Sequence, residues 1–286
     1  MDLTEYRKDL IFRYHRIAGK RHSDKEKERF IRSLLIDLGK NNNEVHVIET
    51  KNQNSKNVIS RNIYVGDVKK ADQIFATYYD TPTAHLGPYY IFNKELQEKN
   101  SLYFNLFVGL FIIGVGLLFT ILYTVPQLSS NLMTMFEIIL LVVFYFIFFI
   151  FLRKFAMGWP IKSNLIRNTS SIIWMLEKIS ENKDKTIAFA FLDNGTTNEH
   201  GLASLLKSVK ANSKIFYFDS IGAEKNLYVN KNNQVESFTS QKFDDYGLYK
   251  IAPGIISNHE LILMKSDLKE NQLSENNFKQ ISDFFK

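Results

Sequence analysis

The chain has 286 residues and no cysteine, so neither disulfides nor thiolate metal sites contribute to it. Its net charge of +6 comes from 36 basic and 30 acidic residues, which are interleaved along the chain rather than grouped into a basic block. This mixing argues against nucleic-acid binding, whereas a modest positive charge suits a domain held beside an anionic membrane surface. Outside two apolar runs, the length is sufficient for one sizeable domain or two small ones.

The N-terminal part of the chain predicts a helix followed by short strands. Ser23 or Asp24 can cap a helix whose apolar positions share one face, and Gly39 can end it. Two β-rich runs follow, NIYV at 62–65 and QIFATYY at 73–79.

Two long apolar runs then interrupt the polar chain, the first at Ser101–Val125 and the second at Leu132–Leu152. A bilayer core about 30 Å thick needs about 20 apolar helical residues, and each run is long enough. Buried core helices are the alternative, but such helices rarely stay apolar on every face. The sequence therefore predicts a transmembrane hairpin at 101–152 inserted into one domain, whose two parts are 1–100 and 153–286.

The charges that flank the hairpin predict its orientation. Its connecting link, PQLSSN, carries no basic residue, whereas both outer ends do: Lys94, Lys99, Arg153, Lys154, Lys162 and Arg167. Because basic flanks prefer the cytoplasm, we expect a cell-membrane protein whose termini and main domain are cytoplasmic. The N-terminal segment MDLTEYRKDLIFRYHR has no apolar core and predicts no signal peptide.

After the hairpin, helices and strands alternate. The chain predicts helix over 164–180, strand over 186–192, helix from His200, strand over 214–218, strand over 261–265 and helix near 275–285. This order predicts an α/β fold, a three-layer sandwich with a mostly parallel central sheet. Three predicted strands end in an acid, at Asp80, Asp193 and Asp219, and these acids could form a cation site or serve as caps and turn formers.

Several segments together resemble the di-zinc aminopeptidases and glutamate-carboxypeptidase-like metallopeptidases. The stretch IAGKRHSDKEKERFIRSLLIDLG resembles that family's G-x-R segment and following helix, and RNIYVGDVKKADQIFATYYDTP its strands leading to His-x-Asp. LIRNTSSIIWMLEKI resembles the Asp-Asn-x-Ser-Gly helix, NEHGLAS the Glu-Glu-x-Gly segment, FDSIG the Asp-x-x-Gly strand end, and DDYGLYKIAPGII the final Asp-His segment. The resemblance covers most of the chain outside the hairpin.

The resemblance implies a site in which most of the zinc-binding groups are replaced. In the family, two histidines, a bridging aspartate, a glutamate and another aspartate hold two zinc ions, and a neighbouring glutamate is the general base. The first histidine corresponds to Tyr78, the bridging aspartate to Arg167, the base to Asn198 and the last histidine to Tyr246. Acidic positions kept from the pattern are Asp80, Glu199 and Asp219.

Arg167 is the replacement with the largest consequence, because a guanidinium cannot ligate zinc and stays charged. We expect it to replace the metals electrostatically by donating hydrogen bonds to Asp80, Glu199 or Asp219, so that the chain has no metal, no cofactor and no catalytic residue. A surface arginine near the membrane is the alternative. A single zinc held by His85, Glu199 and Asp219 is also conceivable, whereas His200 cannot readily join its neighbour Glu199 at one ion.

Three functions remain open at this stage. The first is a catalytically inactive pseudopeptidase, as transferrin receptors are among the relatives, which binds a peptide or a membrane protein partner in a transport or export complex. The second is an active zinc aminopeptidase with a rearranged metal site. The third is a hairpin subunit that assembles within a membrane complex, using Gly109, Gly114 and Gly116 for close helix packing.

Overall fold

A computed structural model of the chain describes residues 3–40, 44–51, 58–129, 133–156, 158–161 and 164–286. Leu132 and Lys162, together with the last two residues of the PQLSSN link, lie outside the described residues. The chain divides into two compact units. The first comprises Met1–Pro82, Pro88–Lys94 and Ile161–Lys286, and the second comprises Thr83–Gly87 and Glu95–Pro160.

From α2 onwards, the helices of the first unit follow the predicted order. They are α1 at Leu3–Ile11, continued by a π-helical segment at Phe12–Ile17, α2 at Asp24–Gly39, a π-helical segment at Leu165–Thr169 leading into α6 at Ser170–Glu181, α7 at His200–Ser208 and α8 at Glu275–Phe284. A capping box formed by Ser23 and Glu26 begins α2, as the serine and the following acids indicated.

An eight-stranded mixed sheet forms the centre of the first unit. Its strands are β1 Val45–Lys51, β2 Val58–Val65, β3 Gln73–Tyr78, β5 Ile187–Leu192, β6 Lys214–Phe218, β7 Leu227–Lys231, β8 Gln234–Ser237 and β9 Gly247–Pro253, in the order β1-β2-β5-β3-β6-β9-β7-β8. The four central strands, β5-β3-β6-β9, are parallel, and both edges are antiparallel. The α/β class is confirmed, with the parallel arrangement confined to the middle of the sheet.

Side chains on the two faces of the sheet pack into separate cores. Phenylalanines on one face, such as Phe75 and Phe216, pack against α1, α2, α6 and α8. Small residues on the other face, such as Ala76 and Ala190, pack against Leu202 of α7. Successive strand residues point to opposite faces, and both faces are covered, so these strands are apolar throughout. Helices on both faces of the sheet give the predicted three-layer sandwich.

A second, three-stranded sheet completes the first unit, with the order β10-β11-β4 and the strands β4 at Tyr89–Tyr90, β10 at Ile255–Ser257 and β11 at Glu260–Leu263. Tyr89 pairs with Leu263 in this sheet and is fully buried.

The second unit contains the two apolar runs as helices. They are α3 at Lys94–Phe119, continued by a π-helical segment at Thr120–Thr124 and by α4 at Val125–Ser129, and α5 at Met135–Ala156. Both are long and apolar enough to cross a membrane, and most of their large apolar side chains are exposed.

Contacts between the two helices of the second unit cluster near Gly116. A Cβ atom at Gly116 would lie 2.6 Å from the Phe148 ring, and the Tyr145 hydroxyl lies 2.7 Å from the Thr120 hydroxyl. Gly109 and Gly114 have no such neighbour among the described residues, so close packing depends on Gly116 alone of the three predicted glycines.

Candidate functional site

The site lies at the carboxyl ends of the parallel strands. Tyr78 is the last residue of β3, and Asp219 directly follows β6. Because parallel strands end at the same edge of a sheet, these two side chains come together. Arg167 lies in the π-helical segment before α6, where its backbone carbonyl accepts a hydrogen bond of 2.7 Å from the Ser220 amide.

Arg167, Tyr78, Tyr89 and Asp219 form what we call the arginine–tyrosine cluster. The Tyr78 hydroxyl accepts a hydrogen bond from Arg167 Nε at 3.3 Å and donates one to Asp219 Oδ1 at 3.0 Å. The Tyr89 hydroxyl donates to Asp219 Oδ2 at 2.6 Å, and the Arg167 guanidinium carbon lies 3.8 Å from the centre of the Tyr89 ring. Ser220 also donates to Asp219, so that three hydroxyl groups surround this carboxylate.

This arrangement agrees in part with the expected role of Arg167. The side chain is 3 % exposed and points into the cluster, so it is not a surface arginine. However, it makes no ion pair within the described part of the chain. The Tyr78 hydroxyl links the guanidinium to Asp219, because it accepts a hydrogen bond from Arg167 and donates one to Asp219. Among the residues that the structure describes, no direct hydrogen bond joins Arg167 to Asp80, Glu199 or Asp219.

The charges of the cluster are fixed by its surroundings. Burial acts to lower the pKa of Arg167, but the nearby Tyr89, Tyr78 and Asp219 raise it by more, so the guanidinium stays charged. Burial, and then the charge of Asp219, raises the pKa of Tyr78 and Tyr89 far above the ordinary value. Both phenols are therefore neutral hydroxyl donors at physiological pH.

Glu199 lies beside two lysines, Lys94 and Lys250, which we call the lysine pair. Lys250 Nζ lies 3.2 Å from each carboxylate oxygen of Glu199, and Lys94 Nζ lies 3.8 Å from one of them. Lys94 also donates to the Gly195 carbonyl at 3.0 Å and lies 5.4 Å from the centre of the Tyr78 ring. The lysine pair thus adjoins the arginine–tyrosine cluster.

Tyr217 joins the two groups. Its ring stacks on that of Tyr78 with the centres 6.2 Å apart, and Lys250 lies 6.0 Å from its centre. The Tyr217 hydroxyl and Arg167 Nη1 are both buried, and neither has a hydrogen-bond partner in the part of the chain that the structure describes.

The other two strand-end acids have structural contacts. Asp80 accepts hydrogen bonds from the amides of Gly195 and Thr196 at 2.7 and 3.1 Å and from the Thr196 hydroxyl. Asp193 forms an ion pair of 2.6 Å with Lys27. They hold the loop after β5, which agrees with the turn-forming alternative for these acids.

Three predicted residues lie outside the cluster. Asn198 is exposed, and its side chain accepts a hydrogen bond from the amide of His200, which is also exposed. Tyr246 is 56 % exposed and directly precedes β9. Since Gly247 pairs with Lys214 at the start of β6, Tyr246 lies at the opposite edge of the sheet from Asp219.

The donor set does not fit zinc. No group of three or more histidine, aspartate or glutamate side chains in the described ranges is arranged to hold a metal ion. Asp219 and Glu199, which the resemblance aligns with zinc ligands, are instead bound by hydroxyl and ammonium donors, which compete with a cation for the same oxygen lone pairs. The rebuilt site with His85, Glu199 and Asp219 is not supported by these contacts.

Sequence reasoning missed four residues of the site: Lys94, Tyr89, Tyr217 and Lys250. Lys94 entered only as a flanking charge of the hairpin. A signal was available for Lys250, because a lysine inside the apolar run LYKIAPGII needs a partner when the strand is buried.

Comparisons with known proteins give similar solved structures only. A Bacteroides thetaiotaomicron glutaminyl cyclase is 13 % identical with a TM-score of 0.40, covering 79 % of this chain and 63 % of its own. A leucine aminopeptidase precursor from the same organism is 13 % identical with a TM-score of 0.41, covering 79 % and 63 %. A zinc-dependent exopeptidase from Parabacteroides distasonis is 10 % identical with a TM-score of 0.41, also covering 79 % and 63 %.

The chain spans less than two thirds of the length of each of these structures. No protein-family model and no curated protein sequence matches it. The similar structures are glutaminyl cyclases and zinc exopeptidases, and the α/β class itself follows from the sheet and helices described above.

Proposed function

We propose that this chain is an integral membrane protein whose α/β unit is a catalytically inactive, peptidase-like binding module. In this proposal the site at the strand ends binds a peptide or a membrane protein partner without a metal. The chain then acts as an accessory subunit, for example of a transport or export complex.

The observation that carries this proposal is the position of Arg167. Arg167, which the resemblance aligns with the bridging aspartate, is a buried, permanently charged guanidinium bonded to Tyr78. A divalent cation placed on Asp219 would meet this charge at short range in a site of low dielectric, and it would displace two tyrosine hydroxyls. The residues of this chain favour binding through hydrogen bonds and ion pairs over metal-assisted hydrolysis.

The two apolar helices support the membrane part of the proposal. Their exposed apolar side chains would be covered by lipid, and the basic residues at both outer ends favour a cytoplasmic α/β unit. The Tyr145 hydroxyl, which lies 2.7 Å from Thr120 and 3.0 Å from Thr124, satisfies polar groups within the helix pair itself.

The alternative, an active zinc aminopeptidase, is tested by hydrolysis of leucyl and glutaminyl peptides in buffer with added zinc. The full chain, purified in detergent, should give no zinc-dependent hydrolysis above the level of its Asp219→Asn variant. Zinc-dependent turnover that Asp219→Asn abolishes would overturn the proposal in favour of the alternative.

Membrane location is tested separately by extraction of membranes with alkaline carbonate. The chain should stay in the membrane pellet, and tags at both termini should be accessible to protease only when the cytoplasmic side is exposed. Release by carbonate would contradict the membrane assignment, and protection of either tag would contradict the orientation.

A further inference from the structure

The charged groups around the two stacked tyrosines do not balance. Arg167, Lys94 and Lys250 are positive, and Asp219 and Glu199 are negative, which leaves a net charge of 3 − 2 = +1. Asp80, which acts on Tyr217, and Arg21, which acts on Tyr78, add one charge of each sign and leave this sum unchanged. Lys94 interacts electrostatically with the other four groups, so the five charges form one system. A partly buried site with one unbalanced positive charge favours a ligand with one negative charge.

Two buried groups of this site also lack a hydrogen-bond partner among the described residues: Arg167 Nη1 and the Tyr217 hydroxyl. Their residues are only 3 % and 2 % exposed, so water does not readily replace the missing partner. Unpartnered buried donors are rare because the loss of their hydrogen bonds to water is not compensated in the folded protein. Both residues adjoin Tyr78, since Arg167 Nε bonds the Tyr78 hydroxyl and the Tyr217 ring stacks on that of Tyr78.

Glu199 shows how the site holds a carboxylate. Its two oxygens contact Lys250 at 3.2 Å each, and Lys94 approaches one of them at 3.8 Å. All three side chains keep partial exposure, between 16 and 23 %, so this side of the site reaches the surface. Glu199 also has a left-handed backbone conformation, φ 51° and ψ 27°, which is unfavourable for a residue with a β-carbon.

We propose that this site binds a carboxylate group, held by Arg167 Nη1, the Tyr217 hydroxyl and the lysine pair, and that Glu199 competes for the lysines as an internal carboxylate. The inference rests on the proposed function, because it needs a metal-free binding site. It adds the chemical class of the ligand and a residue that tunes the affinity.

The geometry favours a carboxylate over a phosphate. A carboxylate carries one negative charge, which matches the net charge of +1, whereas a phosphate dianion exceeds it. A planar pair of oxygens also matches the fork of a guanidinium, whose Nη1 has no partner within the described ranges. A small carboxylate and the terminal carboxylate of a peptide share this chemistry.

The test is calorimetric titration of the full chain in detergent micelles with four probes: acetate, acetyl-tetraalanine with a free terminal carboxylate, the same peptide as its terminal amide, and inorganic phosphate. Binding of acetate and of the peptide acid supports the inference, and binding of the peptide acid alone assigns the site to a chain terminus. Absence of binding, equal binding of the amide, or tighter binding of phosphate would overturn it.

Two variants test the assigned residues with little effect on folding. Tyr217→Phe removes an unpartnered hydroxyl and should weaken binding of the peptide acid about tenfold or more. Glu199→Gln removes the internal competitor and should strengthen binding about tenfold. Lys210→Gln, whose ion pair with Asp72 is exposed and distant from the site in the sheet, is the control and should leave binding unchanged.

Unchanged binding in both Tyr217→Phe and Glu199→Gln would also overturn the inference. A failure of this inference can be distinguished from a failure of the proposed function. Stoichiometric zinc binding at Asp219 would refute the metal-free site itself, whereas absence of both zinc and carboxylate binding would refute this inference alone.

Discussion

The stacked tyrosines Tyr78 and Tyr217 allow a matched test of the arginine–tyrosine cluster. Both are nearly fully buried and lie side by side, but among the described residues only the Tyr78 hydroxyl has hydrogen-bond partners. Tyr78→Phe removes a hydrogen bond to the Asp219 carboxylate, which is worth about 1.5–3 kcal/mol, and leaves Arg167 Nε unpartnered at a further cost of about 1–3 kcal/mol. We expect the free energy of unfolding to fall by about 3 kcal/mol.

Tyr217→Phe is the control of equal size. It removes a hydroxyl that has no partner among the described residues, so the free energy of unfolding should stay the same or rise by up to about 1 kcal/mol. The expected difference between the two variants is therefore about 3 kcal/mol.

Urea unfolding in detergent micelles measures this difference, with tryptophan fluorescence as the signal. Trp174 is buried in the core of the first unit, and its ring centre lies 4.7 Å from that of Phe218, the residue that directly precedes Asp219. A Trp159→Phe background removes the other tryptophan of the chain. Equal unfolding free energies for Tyr78→Phe and Tyr217→Phe would refute the hydrogen-bond relay from Arg167 to Asp219.

Three further predictions concern the same unit. Burial raises the pKa of Tyr78, Tyr89 and Tyr217 above the unfolded value of 10, so their contribution to stability is complete below pH 10 and falls as the pH rises above it. Each of these tyrosines should lower the free energy of unfolding by about 1.4 kcal/mol per pH unit above pH 10. Urea midpoints that stay constant above pH 10 would contradict this. Gly195→Ala should lower the free energy of unfolding by about 1–3 kcal/mol, because its Cβ would lie 2.2 Å from Tyr78 Cβ. The control Gly39→Ala, which has open space around it, should not destabilise the unit. Equal urea midpoints for the two variants would argue against this packing. Asp80→Asn should speed hydrogen exchange at the amides of Gly195 and Thr196 without changing exchange in β6, and unchanged exchange at both amides would contradict the assigned contacts.

Local signals predicted the central elements well. The β6 range Lys214–Phe218 agrees with the prediction, and α2 begins at Asp24 and ends at Gly39 as its cap and its glycine indicated. These elements have strong apolar periodicity and clear end signals. The strands β1, β7, β8 and β9 were missed. The edge strand β8, for example, is four residues long and largely polar and depends on pairing with β7.

The sequence predicted the site residues at strand ends and, through the resemblance, Arg167 and Glu199. Tyr78 and Asp219 come together because β3 and β6 are parallel neighbours. Lys250 and Tyr89 reach the site through the register of β9 and through the small sheet, and both depend on contacts between residues distant in sequence. The same register places Tyr246 at the other edge of the sheet, which motif order alone did not reveal.

Zinc titration of the full chain tests the central claim, a site closed by Arg167 and tyrosine hydroxyls. Calorimetry in detergent micelles should show no stoichiometric zinc binding that depends on Asp219, and chelators should leave the unfolding midpoint unchanged. Binding of zinc in a fixed ratio to the chain, lost in the Asp219→Asn variant, would contradict the account.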